Sequence, residues 1–159
     1  MDLEIRPATE ADVPLILSFI KEFAEYERLS HEVVATEEAL RDSLFGERRM
    51  AEVVLAYRGG LPAAFALFFH NFSTFLGRPG IYLEDLYVRP EFRGAGIGRA
   101  LLVHLAKLAR ERGCGRLEWL VLDWNEPAIR FYKSIGASPV SGLTVYRVSG
   151  EALEELAGQ

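Results

Sequence analysis

Cysteine is nearly absent from this 159-residue chain: Cys114 stands alone and cannot form an intrachain disulfide, so order must come from packing. The opening Met1-Asp2-Leu3-Glu4 has neither the basic nor the apolar character of a secretion signal, and the two features together lead to the expectation of a reduced, cytoplasmic setting. Long hydrophobic runs are missing too. The longest, Leu61 to Phe69, is interrupted by Pro62 and falls far short of the roughly 20 apolar residues that a spanning helix needs, so no membrane partner is expected. Positive charge is in deficit, with 18 Lys and Arg against 23 Asp and Glu for a net charge of −5, the wrong sign for attraction to nucleic acid or anionic lipid. His31, His70 and His104 lack the i, i+4 or cysteine-paired spacing of a metal site, so no metal is expected. No repeat, low-complexity tract or linker divides the chain, which reads as one domain over 1–159.

What is present suffices for a core. Half of the residues are hydrophobic and 11% are aromatic, enough for a chain of about 150 residues to fold without staples. Leu3 and Ile5 alternate with Glu4 and Arg6 before Pro7, a short strand. Thr9 is a candidate N-cap for a helix to about Arg28 carrying Val13, Ile16, Leu17, Ile20 and Phe23 or Ala24 at helical spacing. Thr36 begins a second helix through Leu44, with Gly46 expected to end it in the left-handed conformation. Strands follow at Glu52–Tyr57, Ala63–Phe69 and Ile81–Val88, the last after a turn at Gly77-Arg78-Pro79-Gly80. Ile97–Arg112 is a helix with Leu101, Leu105 and Leu108 on one face. Leu117–Leu122 reads as a strand covered on both faces, Asn125 caps a helix to about Ser134, Val140–Val148 reads as a closing strand, and a small helix follows Ser149. Interleaved helices and strands indicate an α/β sandwich around a mixed sheet.

Arg93-Gly94-Ala95-Gly96-Ile97-Gly98 lies between the strand Ile81–Val88 and the helix Ile97–Arg112. Three alternate glycines let successive backbone N–H groups point at one anion, which a helix N-terminus also favours. The spacing is not the dinucleotide G-x-G-x-x-G, and Arg99-Ala100 after Gly98 is not the Lys-Ser/Thr of a P-loop. A glycine-rich turn that merely opens a helix is the alternative.

The run Val88-Arg89-Pro90-Glu91-Phe92-Arg93-Gly94-Ala95-Gly96-Ile97-Gly98 resembles the acetyl-CoA signature of the GCN5-related N-acetyltransferases (GNAT), in which an Arg/Gln-x-x-Gly-x-Gly/Ala loop holds the cofactor pyrophosphate. Ile5-Arg6-Pro7-Ala8-Thr9, Tyr82-Leu83-Glu84-Asp85, Trp124-Asn125-Glu126-Pro127, Phe131-Tyr132-Lys133 and Gly136-Ala137-Ser138 resemble its diamine (spermidine/spermine) and thialysine branch, a likeness running from Ile5 to about Val148. The resemblance implies an α/β fold with a mixed, mostly antiparallel central sheet and helices on both faces. It also implies acetyl-CoA as co-substrate, a small cationic amine as acceptor, direct transfer in a ternary complex, and a homodimer.

An amine of pKa about 10.4 must lose a proton before it attacks a thioester, so a carboxylate is wanted near it. Glu84 and Asp85 lie mid-strand among apolar residues, where alternation would send them to opposite faces. An internal salt bridge or a strand-edge charge is the alternative reading of the pair. The resemblance gives Glu84 the role of binding the amine and assisting its deprotonation, with Asp85 as a second substrate-side acid. It makes Tyr132 the proton donor to the leaving thiolate, although Phe131-Tyr132 at a helix end also suits core packing. By the same resemblance Arg93, Gly94, Ala95, Gly96, Ile97, Gly98 and Arg99 hold the cofactor, a backbone amide among Leu86, Tyr87 and Val88 faces the carbonyl oxygen, and Asn125 and Pro127 lie along the cofactor arm, Asn125 doubling as an N-cap. Tyr26, Glu27 and Glu118 fall at acceptor-side positions. Glu22 and Glu25 add charge nearby or form a solvated helix face. The resemblance implies a diamine, polyamine or thialysine-like acceptor; where polyamine-acetylating members carry an acidic stretch, this chain reads Ser141-Gly142-Leu143-Thr144, which argues against a long polycation and keeps a small diamine, thialysine or another primary amine open. Two other readings remain beside this one: an acetyltransferase of protein lysines or N-termini, and a non-catalytic acyl-CoA sensor.

Overall fold

Leu3 and Ile5 do form a strand, β1 (Leu3–Pro7), the outer member of a five-stranded sheet in a computed structural model that describes residues 2–159. The sheet has the order β1–β2–β3–β4–β5, with β2 (Glu52–Arg58), β3 (Leu61–Ser73), β4 (Arg78–Val88) and β5 (Leu117–Trp119). Neighbours pair antiparallel except β4 and β5, which run parallel. Helices α1 (Val13–Tyr26) and α2 (Glu37–Phe45) lie between β1 and β2, and α3 (Ile97–Glu111) crosses from β4 to β5. This is the mixed, mostly antiparallel α/β arrangement expected from the sequence. The chain divides into two compact units, Met1–Leu122 and Asp123–Gln159.

In the first unit, both faces of the sheet are buried, as strand alternation requires when each carries apolar residues. One face sends Val53, Leu55, Phe65 and Tyr87 into a cluster with Ile16 and Phe19 of α1 and Leu44 of α2. Phe19 stacks on Phe65 with centroids 5.1 Å apart, an arrangement worth about 1 kcal/mol beyond the buried area. Phe19 is the centre of this cluster although the periodic set read from the sequence omits it. The opposite face carries Val54, Ala56, Ala64 and Ala66, small and buried, beside the buried Ile97, Leu101 and Leu105 of α3, which packs on β3, β4 and β5.

Several boundaries differ from expectation. Thr9 and Asp12 form a reciprocal capping box, but it caps a 3₁₀ turn at Glu10–Asp12, and α1 begins only at Val13 with Pro14 in its first turn. Gly46 ends α2 at φ −78°, ψ −167°, extended and not left-handed. Phe72 pairs with Pro79 and Ser73 with Arg78, so the β3–β4 hairpin runs past the Gly-Arg-Pro-Gly segment read as its turn. Ladder pairing at the hairpin end prevails there over local turn composition. β5 is three residues long, half the expected strand.

The second unit holds α4 (Glu126–Ser134) and α5 (Gly150–Ala157). Asn125 caps α4, its side chain accepting from the Ala128 N–H at 3.4 Å, and Pro127 stands in the first turn, where its missing donor costs nothing. Val140–Val148 is not a strand: the segment is irregular, and Val140, Leu143, Val145 and Tyr146 are all more than two-thirds exposed. Its apolar alternation has no ladder partner among the described residues, and without one an extended segment lacks the bonds that make a strand.

Candidate functional site

β4 carries both acids and leads at its C-terminal end to the glycine loop, so one strand positions the two ends of the site. Along its pairing with β3, Leu67 faces Asp85 and Phe68 faces Leu83, which leaves Glu84 as the extra residue of a β-bulge. The bulge interrupts the alternation that would place Glu84 and Asp85 on opposite faces, and it re-aims the side chains there. Glu84 is exposed and Asp85 is partly buried.

Glu27, at the C-terminal cap of α1, joins these two acids. Burial pushes the Asp85 carboxyl up to about 7, and the charges of Glu84 and Glu27 push the same way. Glu27 is raised as well, by burial first and then by Glu84. Burial and the neighbouring charges therefore disfavour the ionised forms of Glu27 and Asp85, and a cation is the ligand that relieves this. Glu118 pairs in register with Tyr82, and its charge, with that of Glu84 and the larger effect of burial, raises the Tyr82 phenol. Asn71 holds Glu118 through an Nδ2–Oε1 bond of 3.4 Å, and its Oδ1 would lie 2.5 Å from any Cβ at position 80, so a side chain there would displace it. Neither Tyr82 nor Asn71 belongs to the site residues read from the sequence, because only strand register brings them to the acids.

Glu22, read as additional negative charge, is instead taken up. Arg89 donates to both of its carboxylate oxygens, from Nε at 3.1 Å and Nη2 at 2.9 Å, and hydrogen bonding to Arg89 lowers the Glu22 carboxyl. Of the α1 acids near the site, Glu27 is the one whose charge acts on Asp85.

The loop after β4 is shaped for an anion. Arg93 folds back, donating from Nε to the Val88 carbonyl at 2.9 Å, while its guanidinium lies over the rings of Tyr26 at 5.1 Å and Tyr87 at 5.5 Å. Gly94 and Gly96 have φ of +82° and +80°, conformations that residues with a Cβ rarely adopt, and nothing lies within 4 Å of a Cβ built at either. The loop thus faces open space. Gly96 is the N-cap of α3, so the N–H groups of Ile97, Gly98 and Arg99 have no acceptor within the helix. Backbone donors, a helix N-terminus, and Arg93 and Arg99 on either side fit the pyrophosphate of a CoA thioester. Tyr132 lies in the last turn of α4 and Asn125 at its cap, both in the second unit. Among the described residues no cluster of His, Cys, Asp and Glu is arranged to hold a metal ion, and no helix is long and apolar enough to cross a membrane.

A model of the acetyltransferase (GNAT) family matches residues 16–137. Thialysine N-epsilon-acetyltransferase of Bos taurus is 43% identical over 166 residues, covering 98% of this chain and 97% of that protein. L-ornithine N5-acetyltransferase of Arabidopsis thaliana is 33% identical, covering 96% and 86%. Among solved structures, an integron cassette protein from the mobile metagenome of V. cholerae superposes with a TM-score of 0.83 at 31% identity, covering 100% of this chain and 99% of that one.

Proposed function

This chain belongs to the GNAT family and is an N-acetyltransferase, and from that premise we propose that it transfers an acetyl group from acetyl-CoA to a primary amine of a small cationic acceptor, of the thialysine or diamine kind, by direct transfer in a ternary complex. The observation that carries the acceptor class is the meeting of Glu27, at the end of α1, with Glu84 and Asp85 on the strand that leads to the glycine loop. The chemistry named for the relatives, acetylation of the side-chain amine of thialysine or ornithine, supports the same class.

Acetyl-CoA supplies the activated acyl group when bound. The N–H groups at the start of α3, with Arg93 and Arg99, hold its pyrophosphate. A backbone amide among Leu86, Tyr87 and Val88 stabilises charge that develops on the acyl oxygen. Glu84 and Asp85 receive the ammonium group; Glu84 assists removal of its proton, and Tyr26, Glu27 and Glu118 complete the acceptor side. Tyr132, in its family position, donates a proton to the departing thiolate, and Asn125 and Pro127 serve the cofactor arm. In this reading residues 1–159 are one catalytic domain, and the protein works in the cytoplasm as a homodimer.

The test is release of CoA thiol from acetyl-CoA across a panel of thialysine, ornithine, diamines, polyamines and a lysine peptide. Turnover on small amines with little on the peptide is expected. Turnover on the peptide alone would replace the acceptor class, and cofactor binding without any turnover would replace the enzymatic reading. Tyr132→Phe is expected to lower kcat by about 10²-fold or more.

A further inference from the structure

The acceptor wall brings like charges together, and something must hold it in place. Glu27 sits at the end of α1 against the influence of Glu84 and Asp85 on β4, so electrostatics alone would push the last turn of α1 away from the strand. Two arginines from the segment after β4 oppose this. Arg93 lies over the ring of Tyr26. Arg89 reaches further back along the helix, to Glu22, one helical turn before Tyr26.

The Arg89 contacts are unusually complete. Nε and Nη2 each donate to one oxygen of Glu22, Nη1 donates to the Pro62 carbonyl at 3.1 Å, and the guanidinium carbon lies 4.5 Å from the centre of the Phe19 ring. The Ser18 hydroxyl also donates to Glu22, at 3.1 Å to the Oε2 that accepts from Nη2. The Arg89 side chain is 21% exposed and that of Glu22 31%, so the pair is screened less than a surface ion pair. The two-point fork geometry fixes direction as well as distance, which a single ammonium does not. The Arg89 N–H also bonds the Ala63 carbonyl at 2.9 Å, so the backbone at this point belongs to the sheet.

We infer that Arg89 is a positioning residue for the acceptor: by clamping Glu22 and Phe19 it fixes the last turn of α1, and with it Tyr26 and Glu27, against the acids of β4. The inference rests on the proposed function, in which these acids receive the amine. It adds that acceptor affinity depends on a pair remote from the transferred group, and that Glu22 serves through Arg89 and not through its own charge on the substrate.

Steady-state kinetics on Arg89→Met, Arg89→Lys, Glu22→Gln and the Arg89→Met/Glu22→Gln double variant, with the amine that turns over best, tests it. For Arg89→Met the acceptor KM is expected to rise about tenfold with kcat within about twofold and the acetyl-CoA KM nearly unchanged, the pattern of lost acceptor binding. Arg89→Lys should recover part of the loss. Glu22→Gln should raise the acceptor KM in the same direction, and the double variant should be no worse than Arg89→Met alone, since the two residues act as one unit. An unchanged acceptor KM in folded Arg89→Lys and Glu22→Gln variants would overturn the inference, as would additive effects in the double variant or an equal rise in both KM values. A native protein that turns over no amine would instead overturn the acceptor reading beneath it.

Discussion

Asp85 is withdrawn from water and faces the charges of Glu84 and Glu27, so its carboxyl ionises at about 7 instead of 3.8. Between those two values the folded chain keeps a proton that the unfolded chain has released. Stability therefore falls as pH rises from about 4 to about 7 and stays reduced above it. A shift of this size corresponds to roughly 4 kcal/mol. Asp85→Asn removes the slope, so denaturant unfolding should find the variant close to the native protein at pH 4 and more stable than it at pH 8. Activity should move the opposite way, because a cationic acceptor favours the ionised carboxylate. The native kcat/KM for the amine is expected to rise through a limb near pH 7, and Asp85→Asn should lose that limb while keeping the one set by the amine itself. A variant profile identical to the native one would remove Asp85 from the acceptor site.

At the scale of elements, two backbone features ask for specific residues. α1 ends with the Leu29 N–H bonded to the Ala24 carbonyl at 2.8 Å and the Arg28 N–H to the Glu25 carbonyl at 3.0 Å, a Schellman motif whose left-handed residue is Arg28 at φ 63°. Arg28→Gly and Arg28→Val both remove the side chain, but only valine adds a β-branch in a conformation that resists it. Arg28→Val should thus unfold at least about 1 kcal/mol more easily than Arg28→Gly in denaturant. In the glycine loop, Gly96 needs its positive φ, whereas a Cβ at Gly98 would make only an ordinary 3.8 Å contact with Val88. Gly96→Ala is expected to cost about 1 kcal/mol of stability, while Gly98→Ala should leave stability within about 0.5 kcal/mol and raise the acetyl-CoA KM by crowding the pyrophosphate. What the sequence discloses follows the same division between local and distant. Strand alternation, helical periodicity, the Asn125 cap and the glycine loop are written in neighbouring residues, and each is found in the structure. The bulge at Glu84, the approach of Glu27 to Asp85 and the pairing of Arg89 with Glu22 across 67 residues depend on register and packing, for which no local pattern exists. Arg28 hides its left-handed turn because arginine is not the residue that marks one. The alternation in Val140–Val148 fails in the other direction, since a pattern suited to a strand does not supply a partner.

For the whole molecule, a net charge of −5 acts with opposite sign on the two substrates of the proposed reaction. The cationic amine is drawn toward the protein and then toward Glu27, Glu84 and Asp85, while acetyl-CoA, anionic through its phosphates, meets a repulsive outer field before it reaches Arg93, Arg99 and the start of α3. Salt screens the long-range part first, because the Debye length is about 10 Å at 0.1 M and shrinks toward about 3 Å at 1 M. Raising ionic strength should accordingly lower kcat/KM for the amine. The same salt relieves the repulsion of acetyl-CoA as it weakens the local arginine contacts, so that substrate should respond much less. The contrast is best read with two acceptors of equal length, one bearing a single ammonium and one bearing two, since steering grows with substrate charge and binding geometry does not. The expected result is a several-fold fall in kcat/KM between about 0.05 M and about 0.5 M salt for the dication and a smaller one for the monocation. Equal salt dependence for the two amines would mean that the acid cluster contributes contact but not attraction, and the acidic balance of the chain would then have no part in choosing its acceptor.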